Sequence, residues 1–235
     1  MTASQTLATR TDVASLRALV ELLLSSEAAR SKSVALHHPP ETLARAPAKI
    51  EILVNSVVVF VERGFGQVTV QDLLDSARIS RRTFYKYFRN KVDVLESLYK
   101  LSVDIMVLRF KADMGRAASV PDVARHFVDV FFAYHHELAP VIRMMQEEAL
   151  RPDSPLAPHR RAGIDTVVML TNQELQRITG KQVDALLIRS LYWALEGSSI
   201  DFLRTENASV AGIEKARQVM SGMATATLES AITHA

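Results

Sequence analysis

The chain has 235 residues, a hydrophobic fraction of 48% with only 6% aromatics, and a formal net charge of +2. Such a composition can bury a real core and excludes a disordered chain, while the net charge is too small to name a partner. Cysteine is absent, which excludes a disulfide frame, a thiolate zinc site and a thiol nucleophile.

No apolar run approaches the roughly 20 residues that span a bilayer. The longest early run, Leu19–Leu24, is interrupted by Glu21 and flanked by Asp12, Arg17, Glu27 and Arg30. That pattern fits neither a signal peptide nor a transit peptide, so the expectation is a cytoplasmic protein with no membrane partner.

Hydrophobic spacing of three and four predicts helices throughout, with no strand and no internal repeat. A first helix is expected over Asp12–Ala29, followed by a linker that holds His37-His38-Pro39-Pro40. Residues 1–44 are therefore read as an N-terminal extension, with three readings open: its helix docks on the head or on a partner subunit, its basic linker (Arg30, Lys32, Arg45) follows a minor groove, or the helix is loosely attached at the surface.

The helix Pro47–Arg63 opens with proline and stops at Gly64. Thr69 with Asp72 forms a capping-box pattern before Val70–Ala77, Ser80 caps Arg81–Phe88, and Asn90 with Asp93 starts a helix that runs to Met114. Further helices are expected over Pro121–His136, Ala139–Leu150, His159–Thr179, Gln182–Arg204 and Val210–Ile232. The fold class is all-α: a helix-turn-helix head over 45–98, and a helical bundle over 99–235, to which the resemblance given below assigns effector binding and dimerisation.

Two short helices around the tight turn Arg78-Ile79-Ser80 have the spacing that sends the second helix into a major groove. Charge agrees. Arg78, Arg81, Arg82, Lys86, Arg89 and Lys91 fall in fourteen residues without one acid, as a phosphate-walled groove requires. On a helical wheel Phe84 and Phe88 define the packed side, which turns Arg82, Thr83 and Lys86 outward with Tyr85 and Tyr87 on the flanks. An arginine there can pair with a guanine edge, and Lys91 with the tyrosine hydroxyls can meet phosphate.

The run Ile52–Phe60, Glu62-Arg63-Gly64-Phe65, Val68-Thr69-Val70, Asp72-Leu73, Ala77, Ile79-Ser80, Thr83-Phe84-Tyr85, Tyr87-Phe88, Asn90-Lys91 and Leu95 resembles the head of the tetracycline-repressor (TetR) family. The resemblance implies a regulator that binds a palindromic double-stranded DNA operator as a homodimer, and a variable C-terminal domain that takes a small-molecule effector and dimerises through its last two helices. By position it places Thr69, Gln71, Arg81, Arg82, Thr83, Tyr85, Lys86, Tyr87 and Lys91 on DNA. The chain departs from the family at Arg78, where glycine is usual. A left-handed backbone at that position costs a side chain about 1 kcal/mol.

The C-terminal region carries no sharp catalytic or metal signature, and no cofactor is expected. His135 and His136 diverge by about 100° on a helix and cannot share an ion; a site between His135 and Glu147 or Glu148 is the weaker reading. Ser198, Ser199 and Asp201 lack a nucleophile-elbow context, so an enzyme is the remote alternative to a regulator. An effector-independent or activating regulator is the nearer one.

A mostly apolar effector pocket would draw on Phe127, Phe131, Tyr134, Met144, Met145, Met169, Tyr192 and Trp193, with Arg143, Asn172 and Gln173 as polar contacts. Dimer contacts are expected from Leu187, Leu191, Leu195 and Gly197-Ser198-Ser199 on one helix, and from Ile213, Val219, Met220, Met223, Ala224 and Leu228 on the last.

Overall fold

The computed structural model describes residues 18, 44–137, 139–204 and 210–234. The expected helix Asp12–Ala29 and the His37-His38 linker lie outside the described residues. Nine helices occur among those described: α1 (Pro47–Arg63), α2 (Val70–Ala77), α3 (Arg81–Tyr87), α4 (Lys91–Met114), α5 (Val120–Glu137), α6 (Ala139–Ala149), α7 (Ala157–Thr179), α8 (Ala185–Arg204) and α9 (Val210–His234). Among them none is long and apolar enough to cross a membrane.

The helix ends follow local chemistry. Helix α8 starts three residues later than expected because Asp184 caps it, its carboxylate accepting from Leu186 N at 2.8 Å. Helix α7 starts two residues earlier than expected, taking Pro158 into its first turn, where proline needs no donor. Arg78 has φ 52° and ψ 46°, and is the sole non-glycine with positive φ among the described residues. Ile79 N bonds Leu74 O at 3.1 Å across it, a Schellman-type end that closes α2.

The chain divides into two compact units. One comprises Met1–Ile105 with Glu137–Arg160; the other comprises Met106–His136 with Arg161–Ala235. In the first, α1 packs against α2, α3 and α6, and Ile52, Leu53, Val57, Phe60, Leu73, Phe84, Leu95 and Leu98 form its interior. Residues 137–160 therefore cluster with the head, although in sequence they sit amid the C-terminal region.

In the second unit α7, α8 and α9 run antiparallel in succession. Asn172 meets Val183 and Asp165 meets Arg189 across α7 and α8; Ser198 meets Met220 and Lys181 meets Ile232 O along α8 and α9. Arg217 ties α9 to Asp129 of α5 at 2.5 Å. Leu191, Leu195, Met220, Ala224 and Leu228, expected at a dimer contact, are instead buried within this chain. The helices are amphipathic towards their own unit first, and those side chains fill it.

Candidate nucleic-acid interface

Phe84 is fully buried and Phe88 is 2% exposed, their rings 5.8 Å apart. Burying two phenylalanines fixes the rotation of α3, because large-to-small changes at such sites cost about 3–5 kcal/mol. With that face committed, Arg81, Arg82, Tyr85 and Lys86 are exposed while Thr83 and Tyr87 are half-buried. Tyr85 stands edge-on to Phe84 at 5.4 Å, and the Lys86 ammonium lies 5.3 Å from the Tyr87 ring. Those contacts hold the flanking rings beside the cations.

The caps consume some expected DNA groups. Thr69 Oγ1 accepts from Asp72 N at 3.3 Å and donates to Asp72 Oδ2 at 2.6 Å, and Thr69 N donates to the same carboxylate at 2.8 Å. These bonds, with Arg63 on the other oxygen, hold the Asp72 carboxyl below its usual range. Ser80 Oγ accepts from Thr83 N at 3.1 Å and shares a hydrogen bond with the Thr83 hydroxyl.

Lys91 differs most from its expected role. Its ammonium donates to the carbonyls of Phe65 (2.9 Å), Gly66 (3.0 Å) and Val68 (2.7 Å) and lies 5.0 Å from the Phe65 ring. An ammonium has three donors, so all are spent on the loop between α1 and α2. Here Lys91 staples that loop to the first turn of α4; the sequence, which shows charge but not direction, assigned it to phosphate.

Arg89 is likewise taken up, forking onto Asp93 through Nε (2.7 Å) and an η nitrogen (2.8 Å). The pair lowers the Asp93 carboxyl. Arg81 donates to Gln71 Oε1 at 2.8 Å, and Gln71 Nε2 donates to Asp75 Oδ1 at 2.8 Å. Asp75 was not foreseen; the i,i+4 spacing from Gln71 was the available signal. Arg78, Arg82 and Lys86 pair with no carboxylate among the described residues.

The expected effector residues separate. Phe127, Phe131, Tyr134 and Tyr192 are all buried in the second unit, with Phe131 edge-on to Tyr192 at 4.9 Å and Phe127 against Phe110 at 5.6 Å. Met169 (48% exposed) and Trp193 (46%) face out of that unit, as does Gln173. Asn172 is a structural clamp: its amide donates to Val183 O and accepts from Val183 N. Met145 is buried, Met144 half-buried and Arg143 exposed on α6, in the first unit. No group of three metal-ligating side chains occurs among the described residues, and the His135 side chain lies outside them.

Residues 52–98 match the family of bacterial regulatory proteins, tetR family. The chain is 29% identical over 105 residues to the fatty acid metabolism regulator protein of Bacillus subtilis, which covers 43% of this chain and 53% of that protein. It is 29% identical over 114 residues to the HTH-type transcriptional repressor KstR2 of Mycolicibacterium smegmatis, covering 48% and 55%. The chain thus spans about half the length of the curated relatives it matches, and both are named as regulators, not enzymes. The structure of FadR from Bacillus subtilis in complex with stearoyl-CoA superposes with a TM-score of 0.60 at 19% identity, over 76% of this chain and 98% of that one. At that identity the likeness shows the fold: all-helical, with a helix-turn-helix head.

Proposed function

We infer that this chain, which belongs through its head to the tetR family of bacterial regulatory proteins, binds operator DNA as a homodimer and represses transcription until a small, largely apolar effector releases it. One observation carries the reading. Helix α3 is anchored by two buried phenylalanines and turns Arg81, Arg82 and Lys86 to solvent, with no acid on the helix. A groove lined by phosphate on both walls is the surface that complements it.

Two heads must lie about 34–36 Å apart to meet successive major grooves, so a dimer serves the function. The outer faces of α8 and α9 suit it. Leu186 (61% exposed), Trp193 and the exposed Ser190 and Gly197 follow one line of α8, while Val219 (60%), Met223 (44%) and Gly222 follow one of α9. Large exposed apolar side chains beside small residues are what a partner helix covers.

The effector is an amphiphile with a long acyl chain. Two observations support this: FadR of Bacillus subtilis, alike in fold, forms a complex with stearoyl-CoA, and the second unit has an apolar, aromatic interior around Phe110, Phe127, Phe131 and Tyr192. Helix α4 begins in the first unit and ends in the second, unbroken from Lys91 to Met114. Its residues Leu101–Leu108 are buried all round. A continuous helix of that kind is the lever by which an effector, with a coupling of about 1–3 kcal/mol, biases head spacing.

Selection of bound DNA from a random pool tests the reading. A symmetric site should emerge. If each head neutralises about three to five phosphates, affinity should fall with a log–log salt slope of about −5 to −9. No enriched sequence, with a slope near zero, would refute it. Long-chain acyl-CoA should then release the selected DNA; equal affinity with and without effector across a metabolite screen counts against the repressor mechanism.

A further inference from the structure

Asp75 is out of place on electrostatic grounds. It is exposed on α2 beside a helix whose cations face a polyanion, and a carboxylate there repels phosphate. What it touches accounts for its position. Asp75 Oδ1 accepts from Gln71 Nε2 one turn earlier on α2, and Gln71 Oε1 accepts from Arg81 on α3.

The polarity of this relay is fixed by chemistry. A carboxylate only accepts and a guanidinium only donates, whereas an amide does both and can be turned either way. Asp75 therefore obliges Gln71 to present its NH2 group to α2, which leaves the amide oxygen facing Arg81. One N–H of Arg81 is held; four of its five remain. The held fork keeps two parallel donors for a guanine O6 and N7, the bidentate pairing that arginine makes best. Arg82, one residue on, has no such tether.

We propose that Asp75 is a specificity-determining positioning residue: acting through Gln71, it fixes the guanidinium of Arg81 so that each head reads one guanine at a set position of its half-site. The proposal rests on the operator-binding reading and adds to it a coupled reader built from α2 and α3. Gln71, with both ends of its amide engaged, is the link between them.

The test uses the full chain and selection from a random DNA pool, repeated for Asp75→Ala, Asp75→Glu, Gln71→Ala, Arg81→Ala, Arg82→Ala and the double variant Asp75→Ala/Gln71→Ala. Asp75→Ala should lose about three- to tenfold of the guanine preference at one symmetric pair of positions, the pair that Arg81→Ala erases, and spare the pair that depends on Arg82. Binding to a scrambled duplex should stay equal or tighten, since a negative charge has gone. That combination separates positioning from simple damage, which weakens all sequences alike. Asp75→Ala should add nothing in the Gln71→Ala background, and Asp75→Glu, which keeps an acceptor-only group, should restore preference. An unchanged guanine column, additive Asp75 and Gln71 effects, or a uniform loss on every sequence would overturn the proposal while leaving operator binding intact. A wild-type chain that enriches no sequence would overturn both.

Discussion

Replacing Lys91 by Met keeps the aliphatic stem and removes an ammonium that holds three carbonyls. Two of them, on Phe65 and Val68, are part-buried, while the third, on Gly66, is exposed. Charge-assisted hydrogen bonds are worth about 1.5–3 kcal/mol when buried. Discounted for the water that reaches this edge, the two inner bonds contribute about 1 kcal/mol each. The outer bond and the Phe65 ring add about 0.5 kcal/mol apiece, so the variant should lose about 3 kcal/mol. In a chain of this length that lowers the melting temperature by about 6–12 °C. Circular dichroism melts read the loss, and binding to the selected operator as salt is varied reads the alternative role. Because all three donors face protein, the salt slope of the folded variant should match wild type. An unchanged melting temperature together with a slope reduced by about 0.9 per head, about 1.8 for a dimer, would mean that Lys91 grips a phosphate, and the stapling argument would fail.

Arg78→Gly should raise the melting temperature by about 1–4 °C, since glycine relieves a left-handed position worth about 1 kcal/mol; a lower melting temperature would show that the arginine itself stabilises the end of α2. Acid should unfold the protein through its caps. Asp72 and Asp93 are lowered, and Asp122, bonded by Arg125, Ser119 and Ala118 N, is lowered from 3.8 to about 2. A carboxyl depressed in the folded state stabilises above its unfolded value and loses that contribution as pH falls through its folded value. The melting temperature should thus be flat from about pH 5 to 7 and fall between about pH 4 and 2, with Asp122→Asn flattening the lower part of that fall. Trp193→Asp should convert the dimer to a monomer in sedimentation velocity without disturbing the core, because the side chain is 46% exposed; a persistent dimer would move the interface off this face of α8.

Helix identity throughout, and the boundaries and caps of the head, were legible because they depend on neighbours three or four residues away. Pro47 and Gly64 bound α1, Thr69 with Asp72 opens α2, and Ser80 opens α3, each through contacts inside one turn. The rotation of α3 was legible for the same reason, since two phenylalanines four apart leave one side for the cations. The left-handed Arg78 was legible only through the resemblance, in which glycine is usual at that position, because an arginine does not itself mark a positive φ.

Direction over longer range belonged to the tertiary structure. Whether Lys91 reaches outward or back to Phe65 depends on a loop twenty-six residues earlier. Whether Leu195 or Trp193 meets solvent depends on where α9 lies, for the α8 sequence offers apolar residues on both faces. That residues 137–160 join the head's unit also depends on packing that no local pattern records. A side chain's type and its place on a helix are written in the nearby sequence; what it finally touches is set by which distant segment fills the space in front of it, and charge and hydropathy alone do not specify that segment.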